Sequence, residues 1–341
     1  MTIDIALLFF YLVVIVAAAE IFTNAVEILG ARLGFSEGVT GSIFAAVGTA
    51  MPETMVPLVA IFAGGTAKVS EEVGVGAILG APFMLSTLAV FLIGASAFHW
   101  RKRRNKTEVA PERGGLRRDL EFFLFSFSLA FLTAFTPHGY RAVRVFVAFV
   151  LVLTYFYYVM ETIKASAGLV DEGHVTEESK PLYLSLILKE HLVWALVQLL
   201  FAVGLIIIGA KGFVTSVEGL AAMLHVPVMA LSLLVVPIAT ELPEKINSIL
   251  WIRGNKDTMA TGNITGAMVF QGSLLPAIGI FLTPWTINLT VMTSSVITIL
   301  AALWLYVLSV KAKRLSPGFF VVNGCLWAAF VAIVLLSEFS R

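Results

Sequence analysis

The chain alternates long apolar runs with short polar segments, and ten of the runs are long enough to cross a lipid bilayer. A membrane-spanning helix needs about 20 mostly apolar residues. Because the hydrocarbon core offers no hydrogen-bond partner to an open strand edge, each run is expected to be a helix. The pattern therefore predicts an all-α polytopic membrane protein with about ten transmembrane helices. The predicted spans are residues 3–29, 39–64, 72–99, 119–136, 143–163, 187–212, 227–252, 258–282, 286–310 and 317–337.

The composition agrees with this prediction and excludes other classes of protein. Hydrophobic residues make up 59% of the 341 residues and charged residues only 13%, whereas soluble domains contain about 25% charged residues. The single cysteine, Cys325, excludes an internal disulfide and a thiolate zinc site. The five histidines show no metal-binding spacing, and the sequence contains no catalytic or phosphate-binding motif. We therefore expect neither an enzyme nor a bound cofactor.

The distribution of Lys and Arg predicts the orientation in the membrane. Eight of these residues lie in the loop after the third span, residues 100–118. The positive-inside rule makes this loop cytoplasmic, which places both termini on the external side. A nucleic-acid-binding patch is the alternative interpretation, but membrane topology already accounts for the charges. We therefore expect the lipid bilayer, and no nucleic acid, as a partner.

The two halves of the chain contain an internal repeat. Residues 22–53 align with residues 213–244 without a gap, at a constant offset of 191 and with nine identities. The shared Thr-x-x-Pro-Glu motif is informative because Pro and Glu are both rare inside membrane spans. Each half holds five spans, so the second copy enters the membrane from the opposite side. We predict two inverted repeats, 1–164 (spans 1–5) and 187–341 (spans 6–10), joined by an acidic linker, 165–186.

The repeated motif places Glu53 and Glu244 at equivalent positions inside spans 2 and 7. A charged side chain at the membrane centre costs about 2.5–3.5 kcal/mol on insertion scales. Two such costs at equivalent positions suggest that the carboxylates share a partner, and a cation between them would relieve both. The alternative is a pair of protonated glutamates that bond to neighbouring helices.

Four further residues could supply oxygen atoms to a cation. Thr49 and Thr240 precede the glutamates by four residues and could offer hydroxyl or carbonyl oxygen, or could simply pack helices together. Asn263 and Gln271, in span 8, could each donate an amide oxygen to a hard cation. An interhelical hydrogen bond is an equally good interpretation of either amide.

Two other groups of polar residues have open roles. Glu20, Asn24 and Glu27 share one face of span 1, where they could line an ion entry path or pair with other helices. Glu241 precedes Glu244 by three residues and could make the site responsive to protons. It could instead form a salt bridge with Lys245, four residues further on.

The motifs Gly48-Thr-Ala-Met-Pro-Glu53 and Ala239-Thr-Glu-Leu-Pro-Glu244 resemble the paired α-repeat motifs of the cation/calcium antiporter superfamily. They are most similar to those of the prokaryotic sodium/calcium exchangers, whose motif is usually written G-T-S-L-P-E. The resemblance implies a secondary active antiporter in a prokaryotic inner membrane, with no obligate protein partner. It implies exchange of Ca²⁺ against Na⁺ or H⁺ by alternating access, with Glu53, Glu244, Thr49 and Thr240 as ion ligands.

The sequence also departs from this family pattern. The usual second motif is G-N-x-x-G-S-N-x-x-N. Its copy in span 8 keeps Asn263 and ends in Gln271, whereas the copy in span 3 has lost its ligand side chains, with Ala77, Ala81 and Leu85 in their places. Glu241 replaces the usual Ser of the first motif. Fewer neutral ligands and an extra acid favour coupling to protons. They also allow an alternative function, a degenerate homologue that acts as a membrane scaffold or sensor.

Overall fold

The computed structural model describes residues 2–50, 53–54, 75, 78–137, 139–171, 181–186, 192–224 and 241–339, and these are almost entirely helical. In chain order the helices are α1 (Thr2–Arg32), α2 (Glu37–Val39), the π-helix π1 (Thr40–Ala45), α3 (Ala46–Thr49), π2 (Leu85–Ala89), α4 (Val90–His99), α5 (Arg101–Arg104), α6 (Arg113–Thr133), α7 (Arg141–Asp171), α8 (Leu192–Leu224), α9 (Leu242–Arg253), α10 (Asp257–Leu282), α11 (Leu289–Lys311) and α12 (Pro317–Phe339). A 3₁₀ turn, Tyr183–Leu186, precedes α8.

Seven helices among the described residues are long and apolar enough to cross a membrane, and they coincide with predicted spans 1, 3, 5, 6, 8, 9 and 10. Predicted span 4 corresponds to α6, but the helix begins at Arg113 rather than at residue 119. The reason is Glu112, whose carboxylate accepts hydrogen bonds from the amides of Gly114 and Gly115 and so caps the first turn. Spans 2 and 7 fall partly outside the described residues; their described parts are α2–α3 and α9.

The first helices of the two halves, α1 and α8, pack side by side along most of their length. Gln198, near the start of α8, donates hydrogen bonds to Ile21 and Asn24, late in α1. Further along α8, Gly212 lies against the ring of Tyr11, early in α1. The two helices are therefore antiparallel, as inverted repeats require.

The helix α10 lies at the centre of the molecule, where it packs against α6, α7, α9 and π1. Gly262 and Gly266 on α10 face Ser42 on π1, and a Cβ atom at Gly266 would overlap the Ser42 backbone. These glycines therefore allow π1 to approach α10 closely. The two repeats also pack against each other in equivalent ways. The helix α4 of the first repeat packs against α12 of the second, as α10 of the second packs against α7 of the first.

The surface of the bundle is apolar, as a lipid-facing surface should be. On α7, for example, Phe146, Phe149 and Phe156 are exposed, whereas Tyr155 and Tyr158 on the opposite face are buried. An apolar face of this kind would be unfavourable in water but is neutral in a bilayer. The fold is therefore that of an all-α polytopic membrane protein.

The basic loop 100–118 ties the ends of two helices together. Asp257, at the start of α10, accepts hydrogen bonds from Arg104 (2.6 Å), Lys106 (3.0 Å) and the amide of Ala110 (2.9 Å). Arg113 and Arg117 donate to the carbonyls of Ser309 and Val310, near the C-terminal end of α11. Cations at a helix C-terminus complement its unpaired carbonyls.

Candidate functional site

The two glutamates of the repeated motif are both buried in the middle of the bundle. Glu53 is 4% exposed and Glu244 is fully buried. Within the described residues, neither carboxylate accepts a hydrogen bond of ordinary geometry. Each carboxyl group lies within electrostatic reach of Glu241 and Lys245, and Glu53 also lies within reach of Glu244. The structure therefore brings the predicted pair into one cluster of charged groups.

The backbone at Glu244 explains how this carboxyl group is presented. The helix α9 begins at Leu242, immediately after the non-helical Glu241, and Pro243 lies in its first turn. Proline is well tolerated there because its missing N–H has no partner in a first turn. Glu244 thus lies at the positive end of the helix dipole, which favours a negative charge. Pro52 of the first repeat lies outside the described residues.

Glu241 forms the salt bridge that was one of its two predicted roles. Its Oε2 atom lies 2.9 Å from Nζ of Lys245, one turn further along α9, and both side chains are buried. The other carboxylate oxygen, Oε1, has no hydrogen-bond partner in the described part of the chain. Three carboxylates and one ammonium therefore share the site.

Thr49 and Asn263 join the two repeats beside these carboxylates. The Thr49 hydroxyl donates to the carbonyl of Ala45 (2.8 Å) and lies 3.4 Å from Oδ1 of Asn263. It also lies beside the carboxyl group of Glu244. The Asn263 amide nitrogen donates to the Glu244 carbonyl and to the hydroxyl of Ser248, both at 3.1 Å. The Asn263 amide oxygen is thus turned towards Thr49.

The remaining predicted ligands are less firmly connected to the cluster. Gln271 is fully buried, about two turns beyond Asn263 on α10, and neither of its amide atoms has a hydrogen-bond partner among the described residues. Thr240 lies outside the described residues. The Ala77 position of the second motif does too, whereas Ala81 and Leu85 are buried without polar side chains.

The polar residues of span 1 hold other parts of the chain in place. Glu27 accepts hydrogen bonds from Trp251 and Lys256, both at 2.8 Å. Asn24 bonds to the backbone of Pro181 and Tyr183, so it holds the end of the linker against α1. These residues also line a cavity of about 340 Å³ with Glu20. These contacts agree with the interpretation that the polar residues of span 1 pair with other helices.

Sequence reasoning missed three buried polar residues near the site or on its helices. Asn247 accepts a hydrogen bond from Thr23 of α1 (2.5 Å), and Ser248 accepts one from Asn263. Both follow Glu244 by about one turn in an otherwise apolar span, and that spacing was the available signal. Asp119 lies on α6 and is the first residue of predicted span 4, where a charged residue at the end of a span gave no sign of a buried role.

Two comparisons relate this chain to known proteins. The family model described as sodium/calcium exchanger protein matches residues 3–164 and 194–336. Solved structures of the sodium-calcium exchanger NCX_Mj have the same fold. The structure soaked with 2.5 mM Na⁺ and 0.1 mM Ca²⁺ aligns with a TM-score of 0.72 and 17% identity over 97% of this chain and 98% of that chain. The structure soaked with neither ion aligns with a TM-score of 0.72 and 18% identity over 97% and 99%.

A comparison with curated proteins found no match. The likeness to NCX_Mj shows the fold, an all-α membrane protein built from two repeats. The family match is stronger support for identity because it extends through both repeats and covers most of the chain. This protein therefore belongs to the sodium/calcium exchanger family, whose members are membrane cation antiporters that work without a cofactor and are not enzymes.

Proposed function

We propose that this antiporter exchanges Ca²⁺ against Na⁺ or H⁺ by alternating access, with the cation bound between Glu53 and Glu244. One observation carries the proposal. The two carboxylates come from equivalent positions of the two repeats, are buried together, and accept no hydrogen bond of ordinary geometry among the described residues. Buried carboxylates without partners are costly, and a hard divalent cation is the ligand that oxygen atoms of this kind prefer.

The neighbouring oxygen atoms suit such a cation. The carbonyl-type oxygen of Asn263 and the hydroxyl of Thr49 lie beside the carboxylates and could complete part of a coordination shell. Thr240 and Gln271 are proposed as further ligands, Thr240 from its place in the repeated motif and Gln271 from its buried amide, which has no hydrogen-bond partner among the described residues. Ca²⁺ usually takes about 6–8 oxygen ligands, so water would supply the rest.

The charge of the cluster favours a divalent substrate. When all four groups are ionised, the carboxylates of Glu53, Glu241 and Glu244 and the ammonium of Lys245 leave two net negative charges. One Ca²⁺ or two Na⁺ would neutralise them. Because a buried net charge is strongly unfavourable, exchange of one species for the other keeps the cavity neutral at each step.

The Glu241–Lys245 salt bridge bears on the coupling ion. An acid that is held by a buried ammonium is a poorer proton carrier than a free one, because the ammonium stabilises its charged form. The contact therefore supports the salt-bridge interpretation of Glu241 over its proton-exchanging role. Both Na⁺ and H⁺ remain proposed counter-ions for the site as a whole.

We further propose that the loop 100–118 faces the cytoplasm of a prokaryotic cell and that both termini are external. The excess of Lys and Arg in this loop supports the orientation. Inorganic cations and lipid are the proposed partners, and no obligate protein partner is proposed. The division into 1–164, 165–186 and 187–341 is likewise retained as a proposal.

A second function is favoured by one observation. The buried ammonium of Lys245 places a positive charge within the carboxylate cluster. A tethered cation of this kind could take the place of a transported cation. The alternative function, a membrane scaffold or sensor that does not transport, requires such a replacement.

Calcium flux distinguishes the two functions. Purified protein in proteoliposomes should take up radioactive Ca²⁺ when an outward Na⁺ or H⁺ gradient is imposed, and protein-free vesicles should not. Uptake that depends on the Na⁺ gradient identifies Na⁺ as the counter-ion, and uptake that depends on the H⁺ gradient identifies H⁺. A folded protein that gives no flux under either gradient would favour the scaffold.

A further inference from the structure

Asp119 is a fully buried carboxyl group outside the proposed cation site. It lies on α6 and is 1% exposed. Its Oδ2 atom accepts hydrogen bonds from the hydroxyls of Ser42 on π1 (2.8 Å) and Thr265 on α10 (2.6 Å), and Oδ1 accepts one from Tyr158 on α7 (3.0 Å). Four helices from both repeats therefore meet at this one side chain.

The Thr265 hydroxyl has two possible acceptors but only one hydrogen atom. It lies 2.6 Å from Asp119 Oδ2 and 3.0 Å from the carbonyl of Thr261, one turn earlier on α10. When Asp119 is ionised, the Thr265 hydroxyl can donate to the carboxylate. When Asp119 is protonated, Oδ2–H can donate to Thr265 Oγ1, whose own hydrogen then turns to Thr261. In both protonation states of Asp119, the carboxyl group and the Thr265 hydroxyl form complete hydrogen bonds, and no heavy atom has to move.

We propose that Asp119 is a proton-binding site, separate from the Glu53–Glu244 site, that takes up and releases one proton with Thr265 as its hydrogen-bond switch. In the binding step a hydronium ion transfers one proton to the carboxylate: one O–H bond of hydronium breaks, the O–H bond of the acid forms, and a water molecule is left. A buried carboxyl group that can be satisfied in both protonation states avoids the cost that a single unsatisfied state would carry.

The groups around Asp119 are compatible with this role. The charged group that acts on it is Arg118, the adjacent residue on α6. The helix α7 presents the phenol of Tyr158, with Tyr155 behind it, whereas π1 and α10 present the hydroxyls of Ser42 and Thr265. No hydrogen bond to Arg118 is formed by Asp119 in the described residues, so the carboxyl group is not locked in an ion pair.

The position of the cluster links this proton to the cation site. Ser42 belongs to the segment that leads directly into α3 and Thr49, and Thr265 lies two residues after Asn263 on α10. Asp119 thus bonds to both segments that carry neutral ligands of the proposed site. A change in its protonation reverses the direction of the Asp119–Thr265 hydrogen bond and removes a charge beside these segments. This pH-dependent charge goes beyond the proposed exchange.

Infrared spectroscopy of the purified protein in lipid tests the proposal without any cation gradient, so its outcome is independent of the exchange activity. The wild-type spectrum should contain a carboxylic acid band that disappears as the pH rises, and Asp119→Asn should lose that contribution. Thr265→Val should shift the midpoint of this titration. Thr298→Val is the matched control, because Thr298 is also buried and bonded to a carbonyl one turn earlier but forms no hydrogen bond with a carboxylate among the described residues.

Two results would overturn the proposal. The first is an Asp119→Asn protein whose pH-dependent carboxyl signal equals that of the wild type, since the signal would then belong to other acids. The second result applies if Asp119→Asn does not fold. It is a carboxyl band of Thr265→Val that titrates with the wild-type midpoint, as the band of Thr298→Val does. This result would show that Thr265 does not serve the protonation of Asp119.

Discussion

Nζ of Lys245, in the first turn of α9, lies 2.9 Å from Oε2 of Glu241, which immediately precedes this helix, and both side chains are buried beside Glu53 and Glu244. A buried ion pair contributes little net stability, but removal of one partner leaves an uncompensated charge in a medium of low polarity. The pair therefore matters less for holding α9 together than for setting the charge that a transported cation meets.

The first prediction concerns this pair. Lys245→Met should lower the free energy of unfolding by about 3–5 kcal/mol, because Glu241 is left buried without its partner. The double variant Glu241→Gln/Lys245→Met keeps the same net charge as the wild type, so it should recover most of the stability and should retain Ca²⁺ flux. Thermal unfolding in detergent and flux in proteoliposomes measure the two effects.

The same pair decides the role of Glu241 in proton coupling. We expect Glu241→Ser/Lys245→Met to leave the pH profile of flux unchanged, because the Glu241 carboxylate is engaged in a buried salt bridge with Lys245. A flattened pH profile, together with stronger dependence on Na⁺, would instead support proton exchange by Glu241.

The second prediction concerns Asn263, whose amide nitrogen holds α10 to Glu244 and Ser248 of α9. Asn263→Ala should cost about 1–3 kcal/mol of stability through unsatisfied buried partners, and it should also raise the Ca²⁺ concentration needed for half-maximal flux. Asn323→Ala is the control, because its buried amide nitrogen also donates two hydrogen bonds, to the carbonyls of Ser86 and Ala301. If both variants raise the Ca²⁺ concentration needed for half-maximal flux to a similar extent, Asn263 is removed from the proposed ligand set.

The third prediction concerns the basic loop. Arg104→Ala removes the 2.6 Å contact to Asp257, whose side chain is buried at the start of α10. We expect a loss of about 3–5 kcal/mol, because a buried carboxylate loses a buried cation. Arg101→Ala, at an exposed position of the same loop, should change stability by less than about 0.5 kcal/mol. Equal melting temperatures for the two variants would show that Lys106 alone can satisfy Asp257.

The fourth prediction concerns orientation. In a Cys325→Ser background, Gly139→Cys should react with an impermeant thiol reagent in intact cells, whereas Lys102→Cys should react only after lysis. Both positions are exposed and lie at opposite ends of α6. Arg341→Cys should react as Gly139→Cys does, because both termini are predicted to be external. The reverse pattern would invert the proposed topology.

Much of the fold could be predicted because a long apolar run in lipid is expected to form a helix, and because the Thr-x-x-Pro-Glu repeat implied the inverted halves. The same motif identified Glu53 and Glu244, since carboxylates are rare and costly inside spans. The predicted start of α6 was wrong by about six residues. Glu112, an unusual capping residue, extends the helix into the basic loop.

The missed parts of the site depend on contacts between distant segments. The four-helix cluster at Asp119 joins residues from positions 42, 119, 158 and 265, and no local pattern indicates that they meet. The identity of the partners of Asn24 was equally inaccessible, because they include linker residues more than one hundred positions away. Sequence spacing predicts which residues share a helix face, but not which helix lies opposite that face.

Gradient-driven Ca²⁺ uptake into proteoliposomes tests the central claim most directly when it compares the wild type with Glu53→Gln, Glu244→Gln and the control Glu161→Gln. Glu161 pairs with Lys164 on α7 in a largely exposed position, so its loss should not affect the site. The account predicts uptake by the wild type and the control under an outward Na⁺ or H⁺ gradient, and uptake at the level of protein-free vesicles for both motif variants. Full uptake by Glu53→Gln or Glu244→Gln would contradict it.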